Sequence, residues 1–467
     1  LLDQKNAVVF KQSIGAQEMA RKGVSDVEEG LTKITGITKV ESRGLFVRGL
    51  EERYSNLLIN ELQAPSNSPF TKIIPLDLFP TDIVGVLNVY KTFNPNISGD
   101  FAGATVNIET VQAKSITKLS IGTSFTTDNN GSDFLIHSDA NNTQGFFGLN
   151  GRDRQLSPLY GNVPASKVLT PDEYNATYKN NTWNVDKTSS PLNTSIGLIH
   201  SEKFNLDNGD KINYTFSING DNKFIIRKGV DRTFILGAGD YDNNFQKESY
   251  SYQTNVSALA AVNYKAKRFD VALNSFYLRS TDSKIIDQLG YTNNQSSNPN
   301  ILIRTNQFDQ SDYLNTQLIG NIKLTSDEKH TLKFGGSFVK TGYEQPDRKF
   351  IIGEKVSPTE IQTRYGGNHL NKQYLDINGN YYFSGLLEYN YKFDEKENGK
   401  SNRLTVGYNV FENDLKSTYR TFASRGLNKS YIAPINSINS LIVDDINNGI
   451  IFEREESNTD YKNKLNQ

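Results

Sequence analysis

The stretch "LFVRGLEERYSNLLIN", residues 45–60, decides how the first part of this sequence is interpreted. Two short apolar segments, Leu45–Val47 and Leu57–Ile59, are typical of buried strands. Between them stand Arg48 and Arg53, together with a glycine and a tyrosine. The stretch therefore predicts a strand–turn–strand unit, and on the residues alone Arg48 and Arg53 are interpreted as ordinary surface residues of that unit.

The residues around this stretch, 1–112, are predicted to form a small α+β domain. A capping box at Ser25-Asp26-Val27-Glu28 predicts a helix start, with Ser25 as the cap and Glu28 reaching back to it. Gly36 follows at a position suited to a left-handed residue after the helix. Asp77 is interpreted as a structural carboxylate rather than a functional one. Further strand-like segments are Ile83–Tyr90 and Thr105–Ile108.

Residues 113–467 show a different pattern, in which apolar and polar residues alternate over segments of about ten residues. One such segment alternates Ile212, Tyr214, Phe216 and Ile218 with Asn213, Thr215, Ser217 and Asn219. Short turns are predicted at Lys265–Arg268, Thr325–Lys329 and Asp394–Lys400. Long polar loops are predicted near 127–190, 284–310, 344–379 and 417–460. Short turns on one side and long loops on the other predict the N-terminal part of a transmembrane antiparallel β-barrel with long extracellular loops. A soluble β-sandwich or β-propeller is the alternative, and the loop lengths argue against it.

Composition excludes several classes of function. The 51 basic and 52 acidic residues balance to a net charge of −1, so no basic field indicates nucleic acid. The chain has no cysteine, and its four histidines are scattered, which excludes a thiolate site and gives no metal-ligand cluster. No P-loop, GxGxxG, GxSxG or HExxH motif stands in a suitable context. We therefore predict no enzyme and no cofactor.

The ends of the sequence predict a portion of a longer protein. We count roughly nine complete strands, whereas closed single-chain barrels of this class have an even number from 8 to 26. Residues Tyr461–Gln467 enter another strand without the aromatic terminus typical of such barrels. The first residue is not Met, and no signal peptide precedes it. A full barrel of about 22 strands is expected.

Three motifs in order and at consistent spacing resemble the plug domain of TonB-dependent outer-membrane receptors. "GLTKITGI" resembles the family's "aL..vpGv", and "FVRGLEERYSNLLIN" resembles its "VRGL..RY...LLNG". "PLDLFPTDIVGVLNVYKTFNPNISGDFAGATVNIET" resembles "pLD.fP...i..i.V.K...Pd..G.faGG.vni.T". The resemblance covers Gly30 to Thr110, and the residues in these motifs are most similar to those of large receptors of Bacteroidetes. The family's Asn-Gly turn is Asn60-Glu61 here, and its second glycine near the plug exit is Ala104.

The resemblance implies an α+β plug, residues 1–112, inside the barrel of residues 113–467. It implies that the Arg48 guanidinium donates two charge-assisted hydrogen bonds to barrel carboxylates. It also implies that Gly49 permits the chain reversal that follows. The implied plug–barrel lock consists of Arg48, Gly49, Arg53 and Tyr54. The implied apical and exit loops of the plug carry Asn60, Pro65, Asp100 and Gly103.

The resemblance also implies a function, the energised import of a scarce solute across the bacterial outer membrane. The expected partners are the TonB–ExbB–ExbD system, outer-membrane lipid and an unknown small-molecule ligand, such as a siderophore, oligosaccharide, peptide or vitamin. The alternative is a barrel subunit of a surface or secretion assembly that docks a lipoprotein or other protein. Tyr241, Phe245, Tyr250 and Tyr252 suit either ligand stacking or an interfacial girdle.

Overall fold

A computed structural model of the chain divides into the two regions that the sequence predicts. Up to residue 111 the chain is a small α+β unit, called the plug below, and from residue 115 it is dominated by one wide antiparallel sheet, called the wall. The structure describes residues 11–24, 26–40, 44–66, 68, 70–111, 115–149, 151–161, 168–235, 241–292, 296–366, 369–394, 402–426 and 429–466.

The plug is built on two sheets and two short helices. Its larger sheet has the strand order β1-β7-β8-β5-β6, in which β5 and β8 are parallel, and its smaller sheet has the order β2-β3-β4. The strands are β1 Gln12–Gly15, β2 Ile37–Val40, β3 Gly44–Val47, β4 Leu50–Glu51, β5 Asn56–Ile59, β6 Leu62–Gln63, β7 Val84–Tyr90 and β8 Thr105–Thr110. The helices are α1 Ala16–Arg21 and α2 Val27–Thr32.

The start of α2 differs from the predicted capping box. Asp26 is the N-cap, and its carboxylate accepts a hydrogen bond from the backbone N–H of Glu29 at 2.9 Å. Glu28 pairs instead with Lys39 at 2.8 Å. Ser25, the predicted cap, lies outside the described residues. Aspartate and serine serve equally well as N-caps, so the sequence alone could not separate two adjacent candidates.

The wall contains long strands joined in sequence order, from β9 at one edge to β22 at the other. Its main strands are β9 Ile116–Ser124, β12 Asn193–Asn205, β13 Lys211–Phe234, β14 Tyr241–Lys265, β15 Phe269–Thr292, β16 Ser296–Lys323, β17 His330–Lys355, β19 Leu370–Phe393, β20 Asn402–Gly426 and β22 Ile451–Asn466. Two short strands, β18 Glu360–Arg364 and β21 Ser430–Pro434, pair with each other, and β18 also pairs with β17. No described helix is long and apolar enough to cross a membrane.

The strands are much longer than predicted, and the predicted loops at 284–310, 344–379 and 417–460 consist largely of strand and helix. The predicted loop at 284–310 is largely strand, because β15 continues to Thr292 and β16 begins at Ser296. The predicted loop at 344–379 contains the end of β17, all of β18 and the start of β19. The apolar residues of these extensions stand in consecutive positions, as in Ile301–Ile303 and Phe350–Ile352, so the alternation that marks a half-buried strand is absent from them. The predicted short turns after Lys265 and Lys323 are confirmed.

The two faces of the wall differ in character. Side chains alternate along a strand, so on β14 Leu259 and Ala261 face the plug while Val262 faces away from it. The face turned away from the plug carries an exposed apolar band: Leu119, Ile121, Ile196, Phe216, Ile218, Val262, Leu273, Leu314, Leu318, Phe338, Phe383, Leu387, Leu404 and Val406. Near the short turns, the same face carries ring pairs formed by Phe204 with Tyr214, Tyr264 with Phe269, and His330 with Tyr391.

The connection between β9 and β12, residues 125–192, folds into a unit that we call the lobe. It contains the hairpin of β10 Asp133–His137 and β11 Val185–Ser189, and the helices α3 Thr143–Phe146 and α4 Pro171–Thr177. The lobe packs against the wall, β21 and the helix α5 Asn439–Asn447. Tyr250 and Tyr252, which contact the hairpin, share the even-numbered face of β14 with Val262. The lobe therefore lies on the face of the wall that is turned away from the plug.

Candidate functional site

The plug and the wall meet across a surface that is apolar at its centre. Phe79 of the plug packs edge-on against Phe276 of β15, with ring centroids 6.3 Å apart. Leu259, Leu278 and Val339 of the wall belong to the same buried cluster as the plug core. Several polar contacts between described residues of the plug and the wall lie around this apolar centre.

The polar contacts nearest the short turns involve the tip of the β5–β6 hairpin. Asn60 Nδ2 donates to Gln317 Oε1 at 2.8 Å, and Gln317 Nε2 donates to the carbonyl oxygen of Ile59 at 2.9 Å. Asn60 Oδ1 also accepts from the backbone N–H of Thr110 at 3.0 Å. Asn60 thus joins β8 of the plug to β16 of the wall.

Two ion pairs between the plug and the wall have their charges arranged in the same direction. Glu61 of the plug pairs with Lys333 of β17, and Asp82 of the plug pairs with Lys118 of β9 at 2.9 Å. In both pairs the plug supplies the carboxylate and the wall supplies the ammonium group. All four side chains are between one quarter and one half exposed. Such exposed pairs contribute about 0–1 kcal/mol each, so they orient the plug without holding it strongly.

Cavities that can hold several water molecules lie between the plug and the wall. One of them, of about 540 Å³, is lined by charged groups from both sides. Its charged lining comprises Asp26, Asp77 and Asp82 of the plug and Lys118, Asp221 and Lys223 of the wall. Burial raises the pKa of Asp77, and the Lys223 ammonium opposes that rise. Another cavity, of about 370 Å³, lies around Asn60, Glu61 and Lys333. Asp77 therefore belongs to a charged cavity between plug and wall, although its sequence context predicts only a structural role.

The four residues of the predicted plug–barrel lock lie within the plug. Arg48 and Gly49 form the turn between β3 and β4, with φ of 51° and 82°. Arg48 Nη1 donates to the carbonyl oxygen of Lys91 at 3.3 Å, and the predicted contact with a carboxylate of the wall is not seen among the described residues. Arg53 pairs with Glu51 at 2.8 Å and lies over the ring of Tyr54. The chain reversal at Gly49 agrees with the sequence prediction, whereas the described contacts between plug and wall involve other residues.

The predicted apical and exit residues separate into two groups. Asn60 contacts Gln317 of β16, toward the side of the short turns, whereas the sequence predicts an apical loop for it. The register of β5 with β6 explains this, because Asn60 and Glu61 form a two-residue hairpin turn with φ of 52° and 67°. Pro65 follows β6 and begins the segment that leads to Phe70.

Asp100 and Gly103 lie in the connection before β8. Asp100 Oδ1 accepts from Asn56 Nδ2 at 2.5 Å. The backbone N–H of Gly103 donates to the carbonyl oxygen of Tyr54 at 2.9 Å. A Cβ at Gly103 would stand 2.6 Å from Ser55 Oγ, so this close approach requires glycine. The two residues thus join the segment before β8 to Tyr54 and Asn56.

Phe70 and Phe93 are strongly exposed aromatic side chains of the plug, and the Phe70 ring contacts the wall. Phe70 is 72% exposed, and its ring meets that of Tyr343 on β17 edge-on at 5.7 Å. Tyr343 in turn donates its hydroxyl to Asp309 Oδ1 at 2.9 Å, and Gln345 Nε2 donates to the same oxygen at 2.7 Å. An exposed ring beside a carboxylate held by neutral donors can stack on and hydrogen-bond a polar solute.

Sequence reasoning missed the wall lysines that meet the plug. On β9, the side chain of Lys118 points to the polar face, whereas Leu119 and Ile121 point to the apolar face. On β17, Lys333 and Phe338 point to these two faces in the same way. That alternation was the available signal, because it assigns both lysines to the face of the wall that receives the plug. Among the described residues, no group of three or more His, Asp or Glu side chains could hold a metal ion.

Comparison with known proteins gives matches to solved structures alone. No protein-family model and no curated protein matches the chain. The ferric citrate transporter FecA, unliganded, is 10% identical, with a TM-score of 0.37 over 91% of this chain and 63% of that one. The siderophore receptor PiuA from Acinetobacter baumannii is 11% identical, with a TM-score of 0.39 over 89% of this chain and 64% of that one.

The ferric-catecholate import receptor Fiu from E. coli K12 is 10% identical, with a TM-score of 0.40 over 90% of this chain and 66% of that one. The chain thus spans less than two thirds of each of these three proteins. The low TM-scores carry no argument about ligand or mechanism.

Proposed function

We propose that this chain is part of a TonB-dependent outer-membrane receptor that imports a scarce solute by displacement of its plug. The observation that carries the proposal is the contrast between the two faces of the wall. One face receives a folded α+β unit through polar contacts, and the other carries an apolar band with aromatic pairs beside the short turns. Outer-membrane barrels have such an apolar outer band, about 25 Å tall, between aromatic girdles.

The contacts between plug and wall support a plug that moves. Its ion pairs are partly exposed, and charged cavities separate parts of the two surfaces. Water can therefore replace these contacts at little cost when the plug shifts, since exposed pairs contribute about 0–1 kcal/mol. In this proposal the TonB–ExbB–ExbD system supplies the force, and the barrel lies in outer-membrane lipid.

The solute is proposed to meet the plug at Phe70. This ring lies beside Tyr343 and the Asp309 carboxylate, on the far side of the plug from Asn60 and the short turns. An aromatic ring, hydroxyls, amides and a carboxylate suit a neutral polar solute with hydroxyl or amide groups, such as an oligosaccharide or peptide. Siderophores and vitamins remain within the wider proposal, because the receptor mechanism is the same for them.

A cysteine at position 61 tests displacement, since this chain has no native cysteine. In cells that produce the full-length protein, we expect Glu61→Cys, which is partly exposed beside Lys333, to react with a maleimide faster while the inner-membrane proton gradient is intact than after an ionophore dissipates it. Asn208→Cys, in the exposed turn after β12, is the control that reacts in both states. Equal labelling of position 61 in both states would contradict driven import and favour a docking subunit of a surface assembly.

Deletion of the plug tests whether it closes the barrel. We expect the intact full-length protein to be silent in planar bilayers, and the protein without residues 11–111 to conduct. Conduction by the intact protein at the level of the deletion variant would contradict a plug and favour a passive porin.

A further inference from the structure

The lobe presents a short apolar tip to solvent. Phe146 and Phe147 stack edge-on with ring centroids 5.2 Å apart, and Leu149 follows them. Their exposed fractions are 45%, 54% and 54%, although the rest of the lobe buries most of its large apolar side chains. Three large exposed apolar side chains within four residues form a patch of the kind that marks an interaction surface.

Two hydrogen bonds and one close approach fix this tip to neighbouring strands of the wall. Asn222 Nδ2 on β13 donates to the carbonyl oxygen of Phe146 at 3.1 Å. Thr254 Oγ1 on β14 donates to the carbonyl oxygen of Gly145 at 3.3 Å. A Cβ at Gly148 would stand 3.2 Å from Thr281 Oγ1 on β15. The tip is therefore held by its backbone, and its apolar side chains are left outside these contacts.

The contacts place the tip on the outer face of the wall. Asn222 stands an even number of residues from the exposed Phe216 and Ile218 on β13, so its side chain lies on the same face as theirs. By the same rule, Thr254 shares a face of β14 with Val262. The registers of β13 with β14 and of β14 with β15 are regular through this region, so no bulge exchanges the faces. The tip and the apolar band thus share one face of the sheet.

The tip also lies directly above the band. Thr254 is the next outward position on β14 after Val256, which corresponds to about 7 Å along the strand. On β15, Thr281 is two outward positions beyond Tyr277. The interfacial layer of a bilayer is about 5–8 Å thick on each side of the hydrocarbon core. A side chain at this height would stand where hydrocarbon gives way to lipid headgroups.

We propose that Phe146, Phe147 and Leu149 form a membrane anchor that inserts into the outer leaflet of the outer membrane. The occupant of this apolar surface is lipid at the boundary of headgroups and acyl chains, since the patch continues the apolar band on the same face. Phe and Leu side chains on the apolar face of an interfacial segment insert about 5–10 Å into this boundary. The anchor would fix the lobe at the height of the membrane surface. This inference rests on the proposed function.

Fluorescence quenching by brominated phosphatidylcholine tests the anchor. The full-length protein is placed in nanodiscs as three separate variants, Phe147→Trp, Ile218→Trp and Leu159→Trp. Ile218 lies in the apolar band, whereas Leu159 is a comparably exposed lobe residue, at 48%, next to Tyr160, which packs on Phe422 far along β20. The only tryptophan in this chain, Trp183, is buried in the lobe and belongs to the background of all three variants.

The expected result is that the Phe147→Trp signal loses as large a fraction of its emission as the Ile218→Trp signal, while the Leu159→Trp signal is unchanged. Loss at Ile218→Trp without loss at Phe147→Trp would overturn the anchor and leave the barrel intact. No loss at Ile218→Trp would overturn the barrel itself, and the anchor with it. Equal loss at Leu159→Trp and Phe147→Trp would show that the whole lobe contacts lipid, which contradicts a specific tip.

Discussion

Two units pack on opposite faces of the same wall, and they are attached to it in opposite ways. The plug is joined by partly exposed ion pairs, amide hydrogen bonds and an apolar centre, with cavities of about 540 and 370 Å³ in between. The lobe is joined by a buried aromatic cluster with ion pairs inside it. Trp183, Tyr174 and Tyr178 of the lobe pack there with Ile351 and Phe422 of the wall and with α5.

The ion pairs at the lobe are almost fully shielded from solvent. Lys372 pairs with Glu453 at 2.7 Å, and the hydroxyls of Tyr160 and Tyr178 donate to the same carboxylate at 2.6 and 2.8 Å. Arg420 makes two hydrogen bonds with the Glu455 carboxylate, at 2.6 and 2.9 Å, and donates to the carbonyl oxygen of Gly161. Glu453 and Arg420 of the wall thus each also hydrogen-bond a polar group of the lobe.

This difference assigns different mechanical roles to the two interfaces. Both members of each of these ion pairs belong to the wall, so detaching the lobe would remove the tyrosine hydroxyls from buried Glu453 and the Gly161 carbonyl from buried Arg420. A buried polar group that loses its hydrogen-bond partner costs about 1–3 kcal/mol, and a charged one more. An exposed pair exchanges its partner for water at a cost of about 0–1 kcal/mol. The lobe is therefore built as a permanent part of the wall, whereas the plug is built to be released.

The largest expected effect comes from Glu453→Gln, which leaves the Lys372 ammonium buried without a counter-charge. We expect the local free energy of opening of the lobe to fall by about 3–5 kcal/mol. Hydrogen exchange of residues 169–189 measures it, with exchange in the plug unchanged. The matched control is Glu456→Gln, because Glu456 pairs with Arg425 at 2.8 Å in a partly exposed position. Equal effects of the two variants would contradict the contrast between the interfaces.

The second prediction concerns pH, to which the two units should respond with opposite sign. Burial, with Glu28 and Glu51 nearby, raises the pKa of Glu52 in the plug to about 7. The folded plug therefore holds the Glu52 proton more tightly than the unfolded chain does. The contribution of Glu52 to plug stability is fully present below the ordinary pKa of 4.5 and is lost as the pH rises through 7. Burial, with Arg154 and Lys349 nearby, lowers the pKa of His137 in the lobe well below 6.5. The unfolded lobe then binds the proton first, and its stability falls as pH drops below 6.5.

Between pH 7.5 and 5.5 we therefore expect the plug to gain stability and the lobe to lose it, each by about 1–2 kcal/mol after solvent screening is allowed for. Hydrogen exchange corrected for its intrinsic pH dependence separates the two units. Glu52→Gln should flatten the response of the plug alone, and His137→Gln that of the lobe alone. A shift of the same sign in both units would refute the assignment of these two groups.

The third prediction sharpens the claim of a releasable plug. Lys118→Ala and Lys333→Ala each remove one ion pair to the plug and are expected to lower the free energy of plug unfolding by about 0–1 kcal/mol. Urea titration followed by protease digestion of the plug measures this. Because the two pairs share no partner, their effects should add. A loss well above 1 kcal/mol for either variant would mean that the plug is held as firmly as the lobe.

The sequence predicted the α+β plug, the alternating wall and the short turns because each has a local signature, such as the alternation around Tyr214. It did not predict the lobe, whose stability comes from contacts between Tyr178 and Glu453, 275 positions apart. It also reversed the polarity of the plug–wall ion pairs, since Arg48 was visible in a motif whereas Glu61 and Lys333 are paired only by the fold. Pairing of distant charges has no period and no spacing, so single-sequence reasoning cannot reach it.

The smallest expected effect concerns Glu61, in the turn between β5 and β6, where backbone strain and an ion pair contribute with opposite sign to plug stability. Glu61 has a φ of 67°, a left-handed conformation that costs a residue with a Cβ about 1–2 kcal/mol, and it also pairs with Lys333. Glu61→Gly relieves the strain but removes the ion pair, so we expect a net change near zero. In a Lys333→Ala background only the strain remains, and Glu61→Gly should stabilise the plug by about 1 kcal/mol.

Gly49→Ala is the control for this cycle. Gly49 has a φ of 82°, and nothing lies within 4 Å of a Cβ placed there, so the substitution introduces backbone strain alone. It should destabilise the plug by about 1–2 kcal/mol. If Glu61→Gly destabilises the plug equally in both backgrounds, Glu61 contributes through a contact other than Lys333. The strained turn would then be a fixed attachment, and the plug would resemble the lobe more than the present contrast allows.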